Sequence, residues 1–280
     1  MPRNVSDFYL TAFVTGASGG LGGAFAEMLL AEGVRVWGTS RDPARLAGLA
    51  ARHPARFTPV AIDLADPAAA ERIFRESDRA AGGFDLVINN AGYGVFGAFA
   101  DTPFAVWQAQ LDAMLAATLR LAHAAVGGLR ARNRGCLVNV SSLAVEFPLP
   151  FMSGYNAAKA GLSACSESLL METRGMNFTV IDFRPGDYRT AFNHAMQSTL
   201  AAQLTADPRR ARAWRALESH LTAAPGPERA AADLRRALLH GRSGTVRSGT
   251  FFQARLAPLF ARLAPAAWRR FVAAWYFGQL

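Results

Sequence analysis

The sequence predicts a doubly wound α/β domain, a parallel sheet covered by helices on both faces. Three observations carry this expectation. Short β-rich runs alternate with longer Ala/Leu-rich runs through the first 190 residues, as strands alternate with crossover helices. The strand runs are apolar throughout, as required where both faces of the sheet are covered. A glycine cluster, Thr15-Gly16-Ala17-Ser18-Gly19-Gly20-Leu21-Gly22, falls at the first strand-to-helix turn. Right-handed crossovers then complete a Rossmann-like arrangement.

In chain order, strands are expected at Ala12–Thr15, Arg35–Thr39, Phe57–Ile62, Leu86–Asn89, Cys136–Ser141 and Phe178–Phe183. Helices are expected between them at Leu21–Ala31, Pro43–Ala51, Pro67–Ala81, Pro103–Arg132 and Tyr155–Arg174. No linker divides this stretch, so residues 1–280 read as one domain, with 9–186 as the nucleotide-binding and catalytic core. Residues 187–226 have no strand pattern but carry Tyr188, Phe192, Met196, Leu200, Leu204, Trp214 and Leu217. They read as a helical substrate lid that ends at Pro225-Gly226-Pro227. Residues 227–280 supply a helix to about Gly241, a last strand near Thr245–Arg247 and two short amphipathic helices broken at Pro265. That aromatic, arginine-rich tail is expected to pack on the body or on a subunit neighbour, with peripheral membrane contact as the alternative.

Composition excludes several classes. With 51% hydrophobic residues and no low-complexity tract, the chain is globular. No run reaches the length of a membrane span and the first residues lack a signal-type apolar stretch, so a cytoplasmic protein is expected. Cys136 and Cys165 make no disulfide framework and read as buried free thiols. The net charge of +9 comes from arginines spread along the chain, so no nucleic-acid partner is expected. The five histidines show no ligand spacing, and no metal is expected.

Of the 30 basic residues, 29 are arginine and one is Lys159. Where only positive charge is needed this chain uses arginine, so the lone compact ammonium marks a chemical requirement. Tyr155 lies four residues earlier, one helical turn away on the same face. A nearby ammonium lowers a phenol's pKa and makes it a general acid/base. The glycine cluster permits a tight turn and close approach of a pyrophosphate to a helix N-terminus, with Gly16, Ser18, Gly20, Leu21 and Gly22 as its binding residues. After the second strand comes Ser40-Arg41, with no acid before Asp42. An arginine there accommodates a 2′-phosphate, so NADP(H) is favoured over NAD(H).

Six motifs then occur in order: the TGxxxGxG pattern of Gly16, Gly20 and Gly22; Asp63-Leu64; Asn89-Asn90-Ala91-Gly92; Ser141-Ser142; Tyr155-x-x-x-Lys159; and Pro185-Gly186-x-x-x-Thr190. Across roughly residues 9–190 the chain resembles the short-chain dehydrogenase/reductase family in its single-domain form. The resemblance implies Tyr155 as the proton donor to the substrate oxygen and Lys159 as a ligand of the nicotinamide ribose. It implies Ser142 as the hydrogen-bond partner of the substrate carbonyl. Ser141 competes for that role, since strand alternation lets only one of the pair face the site. Asp63 and Leu64 would contact the adenine; Asn90, Ala91 and Gly92, with Asn89, would support its ribose and the sheet. Pro185, Gly186 and Thr190 would hold the nicotinamide end. A homodimer or homotetramer through the long fourth and fifth helices is also implied.

One family member is missing: the usual Asn of the long fourth helix, which the resemblance implies relays protons between the Lys and solvent through water, falls at Met114, and thioether sulfur accepts hydrogen bonds weakly. Glu146 reads as a solvated loop acid, with a place at the site mouth as the alternative. Tyr93, Phe96, Phe147, Phe151 and Met152 flank the motifs as pocket lining or core. The reading is an NADP(H)-dependent oxidoreductase interconverting a carbonyl and a secondary alcohol on a small hydrophobic substrate. Two alternatives stand beside it: a non-redox epimerase, dehydratase or cyclase using Tyr155 as acid/base, and a nucleotide-binding sensor.

Overall fold

In the computed structural model, residues 3–190, 192, 196 and 207–279 are described. The strands are β1 (Thr11–Val14), β2 (Arg35–Ser40), β3 (Phe57–Ala61), β4 (Leu86–Asn89), β5 (Gly135–Val140), β6 (Phe178–Pro185) and β7 (Gly244–Ser248). They form one parallel sheet in the order 3-2-1-4-5-6-7. The chain winds outward from β1 to β3, then returns to add β4 beside β1. That reversal opens a crevice at the carboxyl ends of β1 and β4.

The helices are α1 (Gly20–Ala31), α2 (Ala47–Arg52), α3 (Pro67–Ala81), α4 (Phe104–Leu111), α5 (Ala117–Arg132), α6 (Ser153–Glu172), α7 (Pro208–Ala223), α8 (Pro227–His240), α9 (Ala257–Leu263) and α10 (Ala266–Tyr276). Local chemistry fixes their ends. Pro67 begins α3, where a missing N–H costs nothing, and Asp66 caps it by accepting from the Ala69 N–H at 3.0 Å. Gly82 ends it with φ of 77°, the left-handed stop that favours glycine. Two expected helices differ from the sequence reading. Pro43–Ala51 opens as a 3₁₀ turn before α2. The run expected as one helix over Pro103–Arg132 carries a π turn at Asp112–Ala116 between α4 and α5. A single π turn inside a helix carries no residue signature of its own, so the sequence reading did not place it.

The core lies on both faces of the sheet. On one, Phe25, Leu29 and Leu30 of α1 meet Leu234 and Leu238 of α8 over Ile88 and Phe183. On the other, Phe13, Phe74 and Phe84 pack with Leu121 and Leu129, Phe13 meeting Phe74 edge-on at 5.0 Å. A third cluster roofs the crevice, with Phe96, Met152, Met196, Trp214, Leu217 and Phe277. Phe96, Phe151 and Met152 belong to this roof, and Tyr93, Phe147 and Met152 line the cavity beneath it. Of the expected lid, α7 is described and contributes Trp214 and Leu217; Leu200 and Leu204 lie outside the described residues.

Two expectations need correction. Glu146 is not solvated: it accepts from Arg184 at 2.9 Å and from Arg247 at 2.7 Å. Arg184 is buried beside Asp182 of β6, at 2.8 Å, and a buried guanidinium needs such carboxylates to offset its desolvation. Cys136 is buried, but Cys165 is only half-buried because it sits on the outer side of α6.

Candidate active site

The carboxyl ends of the strands, the roof and the C-terminal helices enclose one cavity of about 1890 Å³. Every site residue expected from the sequence lines it except Gly22. Gly22 acts one layer behind: a methyl group there would fall 2.3 Å from the Gly16 carbonyl oxygen. Its bare Cα therefore lets α1 start tightly against the end of β1. Gly16 and Gly20 adopt φ of 71° and 56°, a region that side chains disfavour. No side chain caps α1 at Gly19, so the N–H groups of its first turn keep their hydrogen-bonding capacity for a ligand.

The far end of this cradle is polar and basic. Ser40, Arg41, Asp63 and Leu64 line it, and so does Arg45, which the sequence reading did not single out. Arg45 lies four residues beyond Arg41 across a 3₁₀ turn, a spacing that would have paired them only if that turn were known. Asp63 accepts from the Ala65 N–H at 3.0 Å. Asn90 is locked by two bonds to Thr15, its N–H to Oγ1 at 2.8 Å and its Nδ2 to the carbonyl at 2.9 Å. Asn89 turns the other way, donating to buried Asn139 at 3.0 Å, which in turn donates to Ser166. It ties the sheet to α6 and does not line the cavity.

At the centre, the two serines separate. Ser141 is buried and hydrogen-bonds Asp182. Ser142 accepts from the Ala144 N–H at 3.0 Å, and its hydroxyl favours the charged form of the Tyr155 phenol. Both residues border the cavity, but the Ser141 hydroxyl is tied to Asp182 of β6 while that of Ser142 is the one beside Tyr155. Tyr155 and Lys159 project from consecutive turns of α6, the Lys159 nitrogen 6.0 Å from the Tyr155 ring centre.

The electrostatics differ from the simple dyad expectation. Burial raises the Tyr155 pKa, the Ser142 hydrogen bond pulls it back down, and the Asp187 carboxylate pushes it up. Lys159 is buried and donates to the Val140 carbonyl at 2.7 Å. Burial pushes its own pKa down to about 8, against the opposing pull of Asp182. The ammonium is engaged with backbone and not with the phenol oxygen, which is why the expected lowering does not appear.

Met114 stands in the π turn, buried, with its sulfur accepting from the Tyr93 N–H at 3.5 Å. Its methyl packs on Gly92, next to the Lys159 nitrogen.

Beyond Tyr155 the cavity becomes an apolar chamber with Leu217, Leu221, Phe252, Leu256 and Phe260 in its wall. Within it sits a polar group absent from the sequence reading. Asp187 accepts from Gln253 Nε2 at 2.6 Å and from the Tyr276 hydroxyl at 3.4 Å. His220 stacks on Tyr276 at 3.9 Å. Burial raises the Asp187 pKa and lowers that of His220. Asp187 directly follows Pro185-Gly186, a local signal; Gln253 and Tyr276 come from the distant tail, where no motif marks them.

Comparison with known proteins agrees with this geometry. The short chain dehydrogenase family profile matches residues 10–201. A 3-ketodihydrosphingosine reductase from Bacteroides thetaiotaomicron is 28% identical over 179 residues, 64% of this chain and 64% of that protein. The match thus spans just under two thirds of that relative's length. A short chain dehydrogenase/reductase from Burkholderia phymatum, solved in complex with NAD, superposes with a TM-score of 0.78 at 21% identity, covering 91% of this chain and 92% of that one. A metagenomic short-chain oxidoreductase solved with NADP gives 0.66 at 28% identity, covering 85% and 96%.

Proposed function

This chain belongs to the short-chain dehydrogenase/reductase family, an oxidoreductase with a nicotinamide cofactor, and we propose that it interconverts a carbonyl and a secondary alcohol on a hydrophobic substrate with NADP(H). The observation that carries this reading is one cavity joining the glycine cradle, the Ser142–Tyr155–Lys159 cluster and an apolar chamber.

The residues fit a dinucleotide. The cradle is shaped by the positive φ of Gly16 and Gly20 and by the missing Cβ of Gly22 behind it, and the α1 N–H groups suit a pyrophosphate. Arg41 and Arg45 at the far end favour a 2′-phosphate over a bare ribose. A bound nicotinamide supplies or accepts the hydride. The rest of the chemistry falls to the chain. Tyr155 gives its proton to the substrate oxygen in reduction and takes it back in oxidation. Ser142 positions that oxygen, its own lone pair fixed by the Ala144 N–H. Lys159, with one donor held by Val140, turns its remaining donors to the cavity and holds positive charge beside the cluster. Leu217, Leu221 and Phe260 exclude water, and Asp187 with Tyr276 offers one polar anchor within that apolar wall. The relative named for 3-ketodihydrosphingosine supports a hydrophobic ketone as the substrate class.

We read assembly as a homodimer or homotetramer through α5 and α6, where Ala116, Ala157, Ala160 and Ala164 are exposed. Light scattering tests that point. The chemistry is tested by following NADPH absorbance against a panel of hydrophobic ketones. Consumption with at least one ketone, lost in Tyr155→Phe, is the expected result. Met114 at the relay position favours the non-redox alternative; substrate turnover with no change in NADPH absorbance would select it.

A further inference from the structure

We propose that residues 251–279 dock the protein peripherally on an anionic lipid surface, with their apolar stripes in the lipid interface. The proposal stands on three observations and is independent of the reaction.

The first is the direction of the stripes. In a second π turn, Phe252–Leu256, and the α9 helix that follows it, Phe252, Leu256, Leu259 and Leu263 are 58%, 47%, 55% and 73% exposed. In α10, Trp268, Phe271 and Trp275 are 62%, 55% and 69% exposed. Steps of three and four residues put each set on one helical face. Helices of a globular body turn such a face inward; these turn it to water. The inner side is nevertheless anchored, by Gln253 on Asp187, by Tyr276 on His220 and by buried Phe277. The outward direction is therefore built into the fold.

The second is charge. Residues 251–280 contain Arg255, Arg262, Arg269 and Arg270 and no Asp or Glu, so all 21 acidic residues of the chain lie elsewhere. Apolar stripes with Trp and Phe beside unopposed arginines match an interfacial helix on anionic headgroups. A second copy fits worse, because a two-fold contact through this face would bring like charges together.

The third is continuity. Phe252, Leu256 and Trp275 belong both to the exposed stripes and to the cavity wall. The cavity thus opens within the docking face; if the hydrophobic-substrate reading holds, substrate passes to it from the lipid. Among the described residues no helix is long and apolar enough to cross a membrane, so the mode is lying on the surface.

The test is flotation of the full chain with phosphatidylglycerol/phosphatidylcholine vesicles and with pure phosphatidylcholine vesicles. The protein should float with the anionic vesicles, be released by salt and stay largely free of the neutral ones. The double variants Trp268→Ser with Phe271→Ser, and Arg262→Gln with Arg270→Gln, alter exposed residues outside the cavity wall. Each should weaken partitioning roughly tenfold or more while NADPH affinity stays unchanged. Absence of the wild type from the anionic vesicles overturns the proposal. So does undiminished flotation of both variants, or an assembly that the Trp268→Ser/Phe271→Ser change reduces to monomers without altering flotation. None of these readouts uses turnover, so they stand apart from the proposed carbonyl chemistry.

Discussion

The two ends of the cavity are built from different materials. At the glycine end, Gly16, Gly20 and Gly22 clear space and the backbone does the shaping, with Asn90 pinned to Thr15 beside it. At the apolar end, side chains from α7, the Phe252–Leu256 π turn and α10 do the shaping, around Asp187. A surface made of backbone requires particular residues, because only glycine can stand where a Cβ would collide. A surface made of apolar side chains requires only volume and hydrophobicity, which many residues supply. The first end therefore constrains a ligand common to many enzymes, and the second is free to define one substrate.

The sharpest break between the ends is expected at Tyr155, which sits where they meet. Tyr155→Phe removes the proton and leaves the ring, which packs edge-on to Phe192 at 5.8 Å. Turnover should fall by roughly 10²–10⁴, while the NADPH dissociation constant measured by fluorescence stays within a few-fold. A parallel loss of nucleotide binding would mean that the two ends are not separable.

The next effect belongs to the glycine end alone. Arg41→Ala with Arg45→Ala should remove most of the preference for NADPH over NADH, on the order of 1.5–3 kcal/mol for charge-assisted contacts. Calorimetric titration of both cofactors measures it. Equal affinities in the wild type would leave the arginines as solvated charge and return the 2′-position to the Ser40 hydroxyl.

Lys159 tests the seam between the ends through stability. Burial pushes its pKa to about 8, below the value of about 10.4 for an unfolded chain. Between these values the unfolded state binds more protons, so this group's contribution to stability rises with pH. The penalty is fully present below about pH 8 and has gone above the unfolded value. Relative to Lys159→Met, the wild type should gain about 2 kcal/mol between neutral pH and about pH 10, read from urea unfolding at each pH. A flat difference would mean that the ammonium is better solvated than its burial implies.

The same contrast explains what the sequence made legible. The sheet, its order of winding and the cradle follow from apolar strands and glycines, whose signals are local. Alternation said that only one of Ser141 and Ser142 faces the substrate, the resemblance pointed to Ser142, and the Asp182 contact shows where the Ser141 hydroxyl goes. Asp187, Gln253, His220 and Tyr276 converge from four separate stretches, so no spacing announces them. The π turn at Asp112–Ala116 and the buried Glu146–Arg184 pair were hidden for a related reason: each depends on what the backbone does in three dimensions. The outward stripes of α9 and α10 were visible as amphipathic helices, but periodicity does not say which face meets the body.

The smallest expected effect is at Met114, where the two ends touch through Lys159. Its sulfur takes the Tyr93 N–H at 3.5 Å and its methyl packs on Gly92. Asparagine is shorter and polar. Its carbonyl oxygen is a stronger acceptor for the same N–H, while its amide brings two donors into a buried place. Where water enters beside it, those donors are satisfied and a hydrogen-bonded path toward Lys159 is restored. Met114→Asn should then raise turnover by no more than a few-fold, chiefly at higher pH, where resupply of the Tyr155 proton limits the cycle. The lost packing costs about 1–3 kcal/mol, so a thermal melt must first establish that the variant is folded. A folded variant with an unchanged pH profile would mean that proton resupply does not pass this way. The Asp187 side of the chamber would then be the next place to look, because its carboxylate already bears on Tyr155.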